Sequence, residues 1–217
     1  MVQGKEKIDA IPNSGEKFMT FSIGNLKFID SYQFMNGSLE QLTESLTTRK
    51  GNPYEKFEIM KTHFSKEELE LIGRKGFYPY EFIDSSEKLT YPGLPPKEAF
   101  YSQVRLEGIS DEDYQHAQTV YKTFNCKDFG DYHWLYFKTD VLLLADIFEN
   151  FRKLSLEHYR LDPANYLTAA SLAWDAMMLK TGIDLELIRD AEILTMIEKS
   201  QKRRFNFCWF KKVREGK

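Results

Sequence analysis

Tyr136 and Asp140 are the residues of this chain whose types and spacing suit a definite chemistry. Four positions apart on a helix, a phenol and a carboxylate lie one above the other on one face. Phosphodiester hydrolysis by two cations needs carboxylates around metal ions held about 4 Å apart, plus a group that orients the attacking water. An aspartate could supply one ligand and the phenol the orienting hydroxyl.

The stretch from His133 to Arg152 must position them. Stepped at the helical period, Tyr136, Leu143, Leu144, Ile147, Phe148, Phe151 and Leu154 gather on one broad apolar face. Lys138, Asp146, Glu149, Asn150 and Lys153 gather on the other. Asp140 falls inside the apolar arc. A carboxylate aimed at a core is costly unless a cation, a metal or strong donors meet it. One reading is an Asp near a helix start, helped by the helix dipole or a buried Arg; the other is a metal ligand with Tyr136 over the same site.

Other chemistry is thinly represented. His63, His116, His133 and His158 form no ligand spacing and read as structural or exposed. There is no phosphate-cradling glycine loop and no Gly-x-Ser-x-Gly elbow. Cys126 and Cys208 lie far apart and fit no zinc spacing, which suits a reducing compartment without a disulfide framework. Apolar residues make up 42% of the 217 and charged ones 29%, enough for a real core and against wholesale disorder. No apolar run approaches the roughly 20 residues of a membrane span. The N-terminus carries no apolar signal segment, so the expectation is an intracellular chain, nuclear or cytoplasmic. The net charge of −3 hides an asymmetry: residues 199–217 carry eight Lys or Arg against the single acid Glu215. Such a tail favours polyanion contact.

In chain order, residues 1–16 read as an entry segment. Phe18–Ile23 and Leu26–Tyr32 alternate about Gly24-Asn25, a β-hairpin with a two-residue turn. Ser38 opens a short helix through Leu46, and Arg49–Pro53 is a loop. Ser65–Glu68 is a capping box before a helix that ends at Gly73. Residues 76–99, broken by Pro79, Pro92, Gly93, Pro95 and Pro96, are a loop pinned by Tyr78, Tyr80, Phe82 and Tyr91. Ser110–Asp113 is a second capping box opening a helix to about Phe124. The organising helix follows from about Asp131 to Tyr159. Asp162-Pro163 opens a helix that Gly182 closes, and Asp184 to about Ser200 forms the last one. A lone hairpin is marginal and should be the edge of a larger sheet, whose other strands are expected from sequence before Met1 or from another chain.

Several stretches occur here in order: Phe28–Met35, Lys75-Gly76-Phe77-Tyr78-Pro79-Tyr80-Glu81, Leu94–Tyr101, Ile109–Tyr114, Tyr136–Asp146 and Leu172–Met177. Together, across roughly residues 8–198, the succession resembles the protein-primed family B DNA polymerases, particularly those of large self-synthesising transposons and related viral or organellar elements. The resemblance implies an α/β fold, a helix-rich fragment of a ribonuclease H-like 3′–5′ exonuclease domain. It would carry one β-hairpin from the sheet edge and mostly helices after it. Residues 1–160 would be the partial exonuclease domain, 161–200 a helical connection toward a polymerase domain, and 201–217 a divergent basic aromatic tail.

The resemblance also implies roles. Tyr136 and Asp140 match the third exonuclease motif, Asp140 as a Mg²⁺ ligand and Tyr136 as the group orienting water and the scissile phosphate. Lys75 matches a Lys-x-x-hydrophobic motif in which the lysine assists at the phosphate; a solvated Lys beside Arg74 is the plainer reading. Ser38 and Leu39 fit a Ser-Leu motif contacting single-stranded DNA, although Ser38 and Gln41 also satisfy a capping box and Asp30-Ser31 competes for that register. Partners would be a single-stranded DNA 3′ end and, in complete members, deoxynucleotides and a terminal-protein primer, with no membrane. The first two exonuclease motifs and the palm motifs are absent, so three of four metal-binding carboxylates are missing. The expectation is a chain without polymerase activity and with little or no nuclease activity by itself. The alternative is a non-catalytic helical module that binds nucleic acid or a partner through Phe205, Phe207, Trp209 and Phe210 among the basic residues of the tail.

Overall fold

The computed structural model describes residues 8–12, 18–48, 53–104, 106–186, 188–197 and 199. The expected tail over 201–217, much of the entry segment and most of the Arg49–Pro53 loop lie outside them. The fold is mixed α/β and helix-rich, with one small antiparallel sheet. The chain divides into two compact units, Met1–Ala176 and Met177–Lys217.

In the first unit, β2 (Phe18–Ile23) and β3 (Leu26–Ile29) form the expected hairpin, with Ile23 opposite Leu26. Gly24 takes φ 57°, the left-handed conformation that a two-residue hairpin turn requires. The rings of Phe21 and Phe28 stack across the strands at 4.5 Å. The sheet has a third strand, β1 (Ile8–Pro12), pairing antiparallel with β2. This corrects two expectations: residues 8–12 are not a loose entry segment, and one of the hairpin's missing neighbours comes from within the chain. Pro12 ends the strand at an irregularity in the ladder, where proline's missing N–H is tolerated.

Helices follow: α1 (Leu39–Thr48), α2 (Lys66–Ile72), α3 (Asp111–Thr123), α4 (Phe129–Tyr159) and α5 (Ala169–Thr181). The Ser65 capping box is complete, each partner accepting from the other's backbone N–H. At Ser110 only half of the expected box forms, because the shorter Asp113 side chain accepts from the Ser110 hydroxyl instead of its N–H. Asp162-Pro163 starts a separate 3-10 turn, Pro163–Asn165, and α5 begins only at Ala169. In the second unit the last helical run covers 191–197, with Asp190 accepting from the N–H groups of Glu192 and Ile193. That start is later than the expected Asp184. Among the described residues no helix is long and apolar enough to cross a membrane.

The 31-residue α4 organises the first unit. Asp128 caps it by accepting from Asp131, and the Phe129 N–H donates to the Tyr91 carbonyl in the long loop. Gly130 permits that approach, since a Cβ there would sit 3.0 Å from the Leu89 carbonyl oxygen. Phe129, Tyr132, Leu143 and Ile147 enter the core with Phe57, Met60, Leu69 and Ile72. The loop rings pin as expected: Tyr78 and Phe82 pack on Phe129, and Tyr91 on Phe82.

Two positions of α4 depart from the sequence reading. Leu144, placed on the apolar face, is exposed together with Trp134, Phe137 and Val141. Asp146, placed on the polar face, is 2% exposed. Its two carboxylate oxygens accept the N–H groups of Ile59 (2.7 Å) and Met60 (2.9 Å), holding the start of the 3-10 turn Met60–Thr62.

Candidate active site

The loop after α2 crosses the first turns of α4 at Tyr136. Gly76 lies directly on the Tyr136 ring; a Cβ there would come within 3.1 Å of its Cδ2. Tyr78 stacks on the same ring at 4.6 Å between centroids, with the planes 24° apart. Tyr80 meets it edge-on, and the Tyr80 and Tyr136 hydroxyls share a hydrogen bond of 2.6 Å. The loop is anchored by the buried Pro79 and by the Tyr132 hydroxyl, which donates to the Phe77 carbonyl at 2.6 Å. Thus Lys75–Glu81 and Tyr136–Asp140, some 60 residues apart in sequence, form one cluster.

Asp140 is half-buried, and its Oδ1 is fully buried with no hydrogen-bond partner. Burial pushes its carboxyl above the usual range, while the nearby Tyr136 hydroxyl and the Lys75 ammonium pull it back. Lys75, itself half-buried, carries the nearby positive charge that acts on the Asp140 carboxyl. The Tyr136 phenol is pushed up strongly, by burial first, then by its bond to Tyr80 and by Asp140. Burial and Tyr80 push Tyr78 up to about 12. The cluster thus holds phenols that stay protonated, hydrogen-bond donors next to a carboxylate and an ammonium. Behind Tyr136 a cavity of about 20 Å³, lined by Gly76, Tyr132, Tyr136, Thr139 and His116, has room for about one water.

The remaining candidates lie elsewhere. The Ser38 hydroxyl accepts from the Gln41 N–H, and Gln41 accepts from the Ser38 N–H, so Ser38 caps α1. Leu39 packs against the core. Of the histidines, His63 and His158 are exposed, and burial holds His116 below its usual range. His133 is different: its Nδ1 and the Tyr78 hydroxyl share a hydrogen bond of 2.6 Å. Cys126 is half-buried, with burial and then Asp131 pushing its thiol up, away from the nucleophilic thiolate.

Mg²⁺ takes six oxygens in near-octahedral geometry, commonly with one or two carboxylates, waters and substrate phosphate. Asp140 could supply one such carboxylate. The set stops there: among the described residues no three His, Cys, Asp or Glu side chains gather to hold a metal ion. The described residues by themselves do not complete a two-cation centre.

The sequence reading missed Gly76, Tyr78, Tyr80 and His133 as parts of this cluster. The run of aromatic residues Phe77, Tyr78, Tyr80 and Phe82 after Lys75 was the available signal.

Compared with known proteins, no family model, no curated protein and no solved structure matches this chain.

Proposed function

We propose that this chain is part of the ribonuclease H-like 3′–5′ exonuclease domain of a protein-primed family B DNA polymerase, and contributes Asp140, Tyr136 and Lys75 to its nuclease site. The observation that carries the reading is the half-buried Asp140 carboxylate, one oxygen unpartnered, beside the Tyr136 phenol and the Lys75 ammonium.

In this reading the protonated Tyr136 orients the attacking water and a phosphate oxygen. Lys75 lies where negative charge grows on the scissile phosphate. Asp140 would be one ligand to Mg²⁺, which when bound supplies charge stabilisation and a deprotonated water. The other acidic ligands would come from polypeptide outside the described residues. The substrate is the 3′ end of single-stranded DNA; deoxynucleotides and a terminal-protein primer belong to the complete polymerase. Ser38 and Leu39 carry less of this proposal, because capping and core packing already occupy them.

The test is Mg²⁺-dependent release of nucleotides from the 3′ end of a single-stranded oligonucleotide. The polypeptide assayed joins this chain to a segment that carries the acidic exonuclease motifs its own sequence lacks. Release is expected, to be abolished in Asp140→Ala and slowed about 10²-fold or more in Tyr136→Phe. Hydrolysis that survives Asp140→Ala, or none in the fused polypeptide, would overturn the proposal.

A further inference from the structure

We propose that Tyr78 and His133 are a positioning pair that fixes where the Tyr136 hydroxyl sits, an inference that rests on the reading of Tyr136 as the water-orienting group. His133 and Tyr136 lie three residues apart on α4, so both side chains leave the helix toward the same loop. Tyr78 bridges them. Its hydroxyl is bound to His133 Nδ1 at 2.6 Å, and its ring stacks on Tyr136 at 4.6 Å. The circuit from helix to His133 to Tyr78 to Tyr136 and back to the helix is closed.

Each contact has a separate task. An offset stack is tolerant of sliding, so it holds a ring in a plane without fixing its place in that plane. The tether at the Tyr78 hydroxyl removes that freedom from the upper ring. Gly76 closes the clamp by leaving no slack against Tyr136, and Phe129, stacked at 5.8 Å, backs Tyr78. Packing alone would be served by phenylalanine at position 78. A half-buried phenol carries a desolvation cost, and the imidazole offsets it only in one ring orientation. Displacement of about 1 Å is enough to spoil a group that orients a reactant, which gives such a tether its value.

The experiment is NMR of the 217-residue chain with ¹³C-labelled tyrosine, Tyr136 assigned by its own substitution. In the parent protein the Tyr136 ring is expected to flip slowly, giving separate signals for its two edges. In Tyr78→Phe and in His133→Leu those signals should merge through flipping at least tenfold faster. In His133→Gln, whose side chain can still pair with the phenol, the separate signals should return. Unchanged Tyr136 signals in His133→Leu would overturn the proposal whatever happened to the melting temperature, as would failure of His133→Gln to differ from His133→Leu. Should His133→Leu not fold, Tyr78→Phe, which keeps the ring and the stack, decides the matter on the same signals. The readout is geometry and not hydrolysis, so a fused polypeptide without nuclease activity would sink the proposed function and leave this result standing.

Discussion

Asp140 and Asp146 sit six residues apart on the same helix and have opposite fates. Asp146 is the more deeply buried, yet both of its oxygens are met by backbone N–H groups of a segment nearly ninety residues away. Asp140 is less buried, yet one of its oxygens is sealed from water with nothing to accept from. The first carboxylate fastens the 3-10 turn at Met60 to α4, which is structural work. The second is half-buried beside a phenol and an ammonium with its Oδ1 unmet, and on this arrangement the proposed nuclease role rests. Burial depth alone would have ranked the pair the wrong way round; the count of satisfied oxygens separates them.

The largest effect should come from Asp146→Ala. It leaves two N–H groups without acceptors, one fully buried, and is expected to cost about 3 kcal/mol. For a chain of this size that is a fall of roughly 6–12 °C in melting temperature, read by thermal unfolding. A loss under about 1 kcal/mol would mean that water replaces the carboxylate there, and the contrast with Asp140 would blur.

Gly76→Ala should have a smaller effect and a local one. The added methyl meets Tyr136 at 3.1 Å, closer than ordinary contact, so the ring must give way. A cost of about 1 kcal/mol is expected, with a change in the near-ultraviolet circular dichroism of the tyrosine cluster. A spectrum identical to the parent's would show that the clamp on Tyr136 has slack.

Much of this was legible beforehand and some was not, for identifiable reasons. The hairpin about Gly24, the capping box at Ser65 and the long helix to Tyr159 follow from local chemistry, and the structure has them. That Tyr136 and Asp140 share one half-buried face of the helix was signalled by a carboxylate breaking an apolar arc. Asp146 was misplaced because helical periodicity assigns a face and knows nothing of a distant backbone turn arriving to bind a buried carboxylate. Leu144 was misplaced for the converse reason: an apolar side chain points to a face, and whether anything covers that face is decided elsewhere. The strand at Ile8–Pro12 does not alternate cleanly and ends in a proline, and its pairing with β2 is a property of the sheet. Likewise the stacking of Tyr78 on Tyr136 joins residues 58 apart, and only the fold brings them together.

The smallest expected shift is the most direct test of the central claim, that Asp140 is kept for chemistry and not for the fold. The measurement is the unfolding free energy of Asp140→Asn and Asp146→Asn beside the parent, from pH 7 down to pH 3. Burial raises the folded-state Asp140 carboxyl above its ordinary value, so the folded parent favours the protonated form. That favour is fully present below the unfolded carboxyl's range and is lost as the pH rises through the raised folded value. At pH 7 the parent therefore bears the penalty that asparagine escapes. Asp140→Asn is expected to be about 1 kcal/mol more stable there, with the gain shrinking toward pH 3, while Asp146→Asn is less stable than the parent at pH 7. If Asp140→Asn instead loses stability at pH 7 to the degree that Asp146→Asn does, both carboxylates are structural and the claim is wrong.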